Sequence, residues 1–146
     1  MKQLSIVVIM FIAGLAVSTV LGDLIDIAGN CADRVSCAWL ISKASRAAAG
    51  GNYLQARKDY EKAIEKINPS NKSLLAKTKN NLAICIFAMA DGGKDPASKA
   101  KASAESILIF SQSLELFKEL GDLERIKEVE KNIEEAAKTA KSAAAA

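Results

Sequence analysis

The chain has 146 residues, of which 20 are basic and 17 acidic, giving a formal net charge of +3, and it contains no histidine. This length is enough for one modest domain. Lysine and glutamate are interleaved along the chain, a pattern typical of a solvated helix surface and not of a nucleic-acid-binding stripe. Histidine is both the commonest general base in enzymes and the commonest zinc ligand. Because the chain has none, we expect no enzyme, no metal site and no cofactor.

Residues 1–22 are predicted to be a signal peptide or a transmembrane anchor. The run 4–21 carries no charge, and its length lies between the apolar cores of signal peptides, about 7–15 residues, and the about 20 residues of a spanning helix. Both alternatives stay open. Lys2 precedes the run and Asp23 and Asp26 follow it, so the positive flank is expected to stay in the cytoplasm. The remainder is then exported, either secreted or membrane-anchored with the helical domain outside the cytoplasm.

Residues 23–37 are predicted to form a linker that contains two of the three cysteines, Cys31 and Cys37. On one continuous helix these positions would be about 9 Å apart along the axis, too far for a disulfide. A disulfide between them therefore requires a break in the helix between residues 29 and 36. The alternative is two unpaired thiols. Cys85 lies on an apolar helix face and is expected to be a small core residue.

The rest of the chain shows helical periodicity, which predicts helices over residues 38–49, 53–67, 73–90, 97–120 and 123–139. Gly50-Gly51-Asn52 ends the first helix, since glycine adopts the left-handed conformation that closes helices. Pro69 follows the second helix, Ser70 or Asn71 is expected to cap the third, and Pro96 suits the first turn of the fourth. Residues 140–146 are predicted to be a disordered alanine-rich tail.

The second predicted helix has an apolar face with spacings of three and four residues, formed by Tyr53, Ala56, Tyr60, Ala63, Ile64 and Ile67. Two helices approach to about 8–10 Å only where side chains at the crossing are small. We therefore expect Ala56 and Ala63 to contact the first helix, with the two tyrosines filling the space beside them.

Residues 51–69, GNYLQARKDYEKAIEKINP, resemble the tetratricopeptide repeat pattern. The matching residues are Gly51, Tyr53, Ala56, Tyr60, Ala63, Ile64 and Pro69. Residues 80–87, NNLAICIF, resemble the first helix of a further repeat with Ala83 at the small position, and residues 113–122 resemble the end of a repeat. The resemblance implies an all-α fold over residues 38–139: a short tetratricopeptide-like α-solenoid of two helical hairpins and a C-terminal capping helix, preceded by an apolar N-terminal helix.

The resemblance also implies a concave groove that holds a peptide or helix of a partner. By position in the matched repeats, the groove-facing residues are Ile41, Ser45, Lys77, Asn80, Ile84 and Phe87. An asparagine amide both donates to and accepts from a peptide backbone, and Lys77 would attract a carboxylate. The alternative is that Lys77 and Asn80 belong to an ordinary solvated helix face.

The function expected from these features is that of a non-catalytic protein–protein interaction or adaptor module exported to the cell envelope. Its partner would be an unidentified protein or peptide and no nucleic acid, and the chain could be an oligomer. The alternative is an exported amphipathic helical structural protein that self-assembles or associates with the membrane surface. The two differ in their response to lipid, because a surface-active protein gains helicity when lipid is added.

Overall fold

The computed structural model describes residues 34–92 and 95–145, and this part of the chain is all-α. Its five helices are α1 (Arg34–Ala49), α2 (Tyr53–Lys66), α3 (Lys72–Asp91), α4 (Pro96–Leu120) and α5 (Leu123–Ala144). The predicted all-α class is confirmed. The predicted leader over residues 1–22, with its apolar helix, and most of the predicted linker over residues 23–37 lie outside the described residues.

The observed helix bounds differ from the predicted ones mainly at the two ends of the described chain. α1 begins four residues before the predicted start, at Arg34. α5 continues to Ala144, so residues 140–144 are helical where a disordered tail was expected. Alanine has the highest helix propensity of all residues, and Ala136 fixes this half of α5 because its side chain is fully buried.

Each of the last four helices begins with a side-chain cap. The carboxylate or amide oxygens of Asn52, Asn71, Asp95 and Asp122 each accept a hydrogen bond from the backbone N–H three residues later. Such a bond satisfies one of the four N–H groups that the first turn of a helix leaves without an intrahelical partner. Asn71 is one of the two residues predicted to cap α3, and Pro96 occupies the first turn of α4 as predicted.

Two glycines close helices in the left-handed conformation. Gly51 has φ of 75° and Gly121 has φ of 70°. Beside Gly51, the Asn52 N–H donates to the Ala47 carbonyl at 2.8 Å, and beside Gly121, the Asp122 N–H donates to the Phe117 carbonyl at 3.1 Å. These six-to-one hydrogen bonds are those of the Schellman motif, and they turn the chain sharply enough for the next helix to run back along its predecessor.

The helices form a stack in which the extensive contacts link helices that are consecutive in the chain. Between α3 and α4, the Ser113 hydroxyl donates to the Ala76 carbonyl at 2.8 Å, and Lys72 Nζ lies 2.6 Å from Glu119 Oε2. These pairs show that the two helices are antiparallel. We call the side with the start of α1, the α2–α3 turn and the α4–α5 turn the lower end of the stack, and the opposite side the upper end.

Two apolar clusters hold the stack together, and α3 contributes to both. The first cluster joins α1, α2 and α3 around Leu40, Tyr60 and Leu74. The second joins α3, α4 and α5 around Phe110 and Phe117. Ala56 and Ala63 both have 0% exposure and belong to the first cluster, which confirms that they face the core; their contact with α1 in particular stays a prediction.

The turn between α1 and α2 gives a direct stability test. Replacing Gly51 with alanine forces a Cβ into a left-handed conformation, and we expect the free energy of unfolding to fall by about 1 kcal/mol. The adjacent Gly50 has no positive φ, and an added Cβ would meet only carbonyl oxygens at 3.5 and 3.6 Å. The Gly50→Ala variant should therefore be as stable as the wild type or slightly more stable. Urea unfolding of both variants checks this, and equal losses would refute the assigned turn.

Candidate interaction surface

The exposed face of α3 is a narrow row between its two buried faces. On one side Leu74, Leu82 and Cys85 enter the first cluster, and on the other Ala76 and Ala83 enter the second. Residues at spacings of three and four share one face of a helix. The row between the two buried faces consists of Lys77, Asn81, Ile84 and Ala88, which we call the α3 row.

Ile84 is the most exposed member of the α3 row. Its relative exposure is 40%, whereas the residues that flank it, Ala83 and Cys85, are buried. A branched apolar side chain in water between two buried faces leaves apolar area that a partner could cover. The row therefore offers one apolar contact flanked by an amide and an ammonium group.

The structure separates the six residues that the sequence assigned to a groove. Lys77 and Ile84 lie on the α3 row. Phe87 is half-buried and packs against the second cluster. On α1, Ser45 is half-buried, and its hydroxyl lies 2.9 Å from the Tyr60 hydroxyl. This hydrogen bond helps to hold α1 against α2.

Two of the six residues are buried and offer no open surface. Ile41 is 7% exposed and belongs to the first cluster, so its assignment to the groove is corrected: the face of α1 that carries Ile41 packs into the core. Asn80 is 4% exposed, because its position on α3 faces the second cluster instead of the open row. The sequence pattern missed Asn81, which is the asparagine of the α3 row.

The Asn80 side chain has an unusual environment. Its Oδ1 atom is buried and has no hydrogen-bond partner among the described residues, and the same holds for the Ser103 Oγ atom on α4. A buried polar atom without a partner costs free energy, commonly about 1–3 kcal/mol. α3 and α4 therefore each carry one buried polar atom that no described group satisfies.

A polar cluster around Asp59 also ties α1 to α2. The Asp59 side chain is 1% exposed, and its carboxylate accepts from Lys43 Nζ at 3.2 Å and from Gln55 Nε2 at 2.8 Å. Burial alone would raise the pKa of the Asp59 carboxyl, but these two hydrogen bonds and the Lys43 charge together lower it below its ordinary value. Lys43 Nζ also lies 5.0 Å from the centre of the Trp39 ring, within cation–π range.

A second polar contact joins the two hairpins. The Arg57 guanidinium on α2 donates to both carboxylate oxygens of Glu105 on α4, at 2.7 and 3.1 Å, and to Glu61 at 2.8 Å. Burial by itself would lower the pKa of Arg57, but the bonds to Glu105 and Glu61 raise it above its usual value. The two-point geometry fixes the angle between α2 and α4 more firmly than a single contact would. Sequence reasoning missed this pair, since both residues look like ordinary surface charges.

The cysteines differ in state. Cys37 is fully buried and disulfide-bonded, so it is not an unpaired thiol. Cys31 lies outside the described residues, and the Cys31–Cys37 pairing stays a prediction. Cys85 is a free, buried thiol, and burial raises its pKa to about 11. It is therefore protonated at neutral pH, and a protonated thiol is a poor nucleophile.

Within the described ranges, no group of three or more histidine, cysteine, aspartate or glutamate side chains is placed to hold a metal ion. In the same part of the chain, none of the helices is both long and apolar enough to span a bilayer.

The chain matches no protein-family model, no curated protein and no solved structure. The tetratricopeptide assignment thus stays a prediction from the sequence pattern.

The buried Asp59 predicts a particular dependence of stability on pH. A carboxyl whose pKa is lowered in the folded state stabilises the fold above its ordinary pKa, 3.8, and this contribution is lost as the pH falls through the lower folded value. We expect Asp59→Asn to lower the free energy of unfolding by about 1–3 kcal/mol near pH 7, because the amide cannot accept both hydrogen bonds as a carboxylate does. The deficit should shrink as the pH falls below 3.8 and the carboxylate becomes protonated.

Urea unfolding at several pH values measures this difference. The matched control is Glu65→Gln, which makes the same charge change at an exposed position of the same helix and should have little effect at any pH. A deficit for Asp59→Asn that stays constant down to the most acidic value would contradict the role assigned to the ionised carboxylate.

Proposed function

We propose that this protein is a non-catalytic interaction module, exported from the cytoplasm and either secreted or membrane-anchored, which binds a peptide or helix of a partner protein along the α3 row. The observation that supports this most directly is Ile84, a large apolar side chain that is 40% exposed on the central helix between the buried Ala83 and Cys85. The resemblance of residues 51–69 to a tetratricopeptide repeat adds to it, because that architecture places a binding groove on the first helices of successive repeats.

The chemistry of the α3 row limits what it binds well. Ile84 offers one apolar contact, Asn81 an amide with both donor and acceptor groups, and Lys77 an ammonium group. A partner helix or extended peptide with an apolar side chain near a backbone carbonyl or a carboxylate would suit all three. Because the row spans only three helical turns, its affinity is expected to be modest unless the protein is concentrated at a membrane or self-associates.

Photocrosslinking from a side chain placed in the row tests this proposal in the cells that make the protein. A photoreactive amino acid at position 84 should give a defined adduct with one partner. The matched control is position 108, where Leu108 is also an exposed apolar residue, 61% exposed, but lies on α4 instead of α3. Equal adducts from both positions would contradict a binding face on α3, and an adduct with the mass of two copies would favour the self-assembling alternative.

A further inference from the structure

Cys37 lies in the first turn of α1 and is nevertheless fully buried. It has 0% exposure and belongs to the first cluster, together with Leu40 and Leu74. Its sulfur takes part in a disulfide. One half of this disulfide is therefore a component of the apolar core.

The number and state of the cysteines identify the other half of the bond. The chain contains three cysteines. Cys85 is a free thiol, and the structure consists of one chain, so the bond from Cys37 is intramolecular. Cys31 is then the one cysteine left to be its partner.

The positions of the two buried cysteines explain why they do not pair with each other. α1 and α3 both start at the lower end of the stack. Cys37 is the fourth residue of α1, whereas Cys85 is the fourteenth residue of α3. Ten residues of helix rise about 15 Å, and a disulfide requires Cα atoms within about 7 Å of each other.

The start of α1 is compatible with a bond to Cys31. On one continuous helix, positions 31 and 37 would lie about 9 Å apart along the axis, too far for a disulfide. α1 is described from Arg34 onward, and Cys31 lies outside the described residues. The bond therefore requires only that residues 31–33 do not continue the helix.

We infer that Cys31 and Cys37 form a disulfide that closes residues 31–37 into a ring and fixes the start of α1 against the first cluster. In this step the two thiols lose two protons and two electrons, and a disulfide oxidant such as oxidised glutathione takes them up and leaves as two thiols. Disulfides persist in oxidising compartments and are rare in the cytosol. The presence of the bond in the cell therefore rests on the exported form of the proposed function.

The ring restrains the half of α1 that the polar contacts with α2 do not reach. Lys43 and Ser45, whose side chains bond to Asp59 and Tyr60, both lie in the second half of α1. Cys37 lies in the first half, where it packs in the apolar core. A covalent ring there restricts the unfolded chain, so oxidation stabilises the first hairpin.

Peptide mapping without reductant tests the pairing on the full chain, purified and equilibrated with oxidised and reduced glutathione. Free thiols are blocked with N-ethylmaleimide, and the denatured chain is digested with trypsin, which cleaves after Arg34 and Lys43. We expect peptide 35–43, which carries Cys37 and the only tryptophan, to stay joined to the peptide that ends at Arg34 until reductant is added. Cys85 should carry the maleimide.

Three other results of the mapping would overturn the inference. They are a bond from Cys37 to Cys85, a Cys37 that carries the maleimide, and a bond to a second chain, which is recognised by a doubled mass.

Urea unfolding tests whether the bond fixes α1. We expect dithiothreitol to lower the midpoint of the wild type, with the unfolding constant at a fixed urea concentration rising about tenfold or more. Cys31→Ser should have the lower midpoint already without reductant and should match the wild type with it. Cys85→Ala is the matched control, because it removes the free thiol and should keep the full response to dithiothreitol. A mapped bond whose reduction leaves the wild-type midpoint unchanged would overturn the role assigned to it.

The same mapping on chain alkylated inside the cells that make it tests export separately. A Cys31–Cys37 bond found there supports both the pairing and an oxidising compartment. If Cys37 is reduced in the cells and pairs with Cys31 in the glutathione buffer, the pairing is supported and the exported form of the proposed function is contradicted. Neither result bears on the crosslink from position 84, so failure of the pairing is distinguishable from failure of the interaction site.

Discussion

Close contact between helix backbones at fully buried alanines is the constraint on which this stack depends. Every pair of consecutive helices from α1 to α4 has at least one alanine with 0% exposure: Ala44, Ala56, Ala63, Ala76 and Ala83. Larger side chains at these positions would push the helices apart, and interiors packed to crystal-like density accommodate added volume poorly. Aromatic rings beside the crossings, Tyr60 in the first cluster and Phe110 and Phe117 in the second, then fill the space that remains. Small residues thus set the distances between helices, and large ones contribute most of the buried apolar area.

This arrangement explains why α3 carries the candidate interaction surface. As the middle helix it packs against α2 on one side and α4 on the other, and it contributes fully buried side chains to both clusters. The α3 row lies between these two buried faces, and the packing on both sides holds it in place. The Arg57–Glu105 contact and the bond from Ser113 to the Ala76 carbonyl fix one hairpin against the other. A surface built this way is preorganised, so a partner of the proposed kind would bind without the cost of ordering it.

The sequence predicts the helices well because their boundaries depend on local chemistry. Gly51 closes α1, and Asn71 and Pro96 begin α3 and α4, each through a bond or a backbone preference that involves only nearby residues. Burial of Ala56 and Ala63 was likewise predictable from spacing. The candidate site was harder to predict from the sequence, because it depends on which face of α3 is left open by its neighbours α2 and α4. Asn80 and Asn81 differ by only 100° around α3, so a repeat pattern alone could not tell which one is buried. The burial of Asp59 has no local signal, because it depends on Lys43, which lies on the preceding helix. For α5 the alanine-rich sequence does give a local signal for helix, and the predicted disordered tail underweighted it.

The most direct measurement of the central claim is the free energy of unfolding of an Ala56→Leu variant. Leucine keeps the position apolar and helix-forming, so the substitution changes volume without adding charge. Ala104→Leu is the control, because Ala104 is exposed in the middle of α4. If close alanine contacts set the stack, Ala56→Leu should lose about 1–3 kcal/mol in urea unfolding, while Ala104→Leu stays within about 0.5 kcal/mol of the wild type. An Ala56→Leu protein as stable as the wild type would contradict the account.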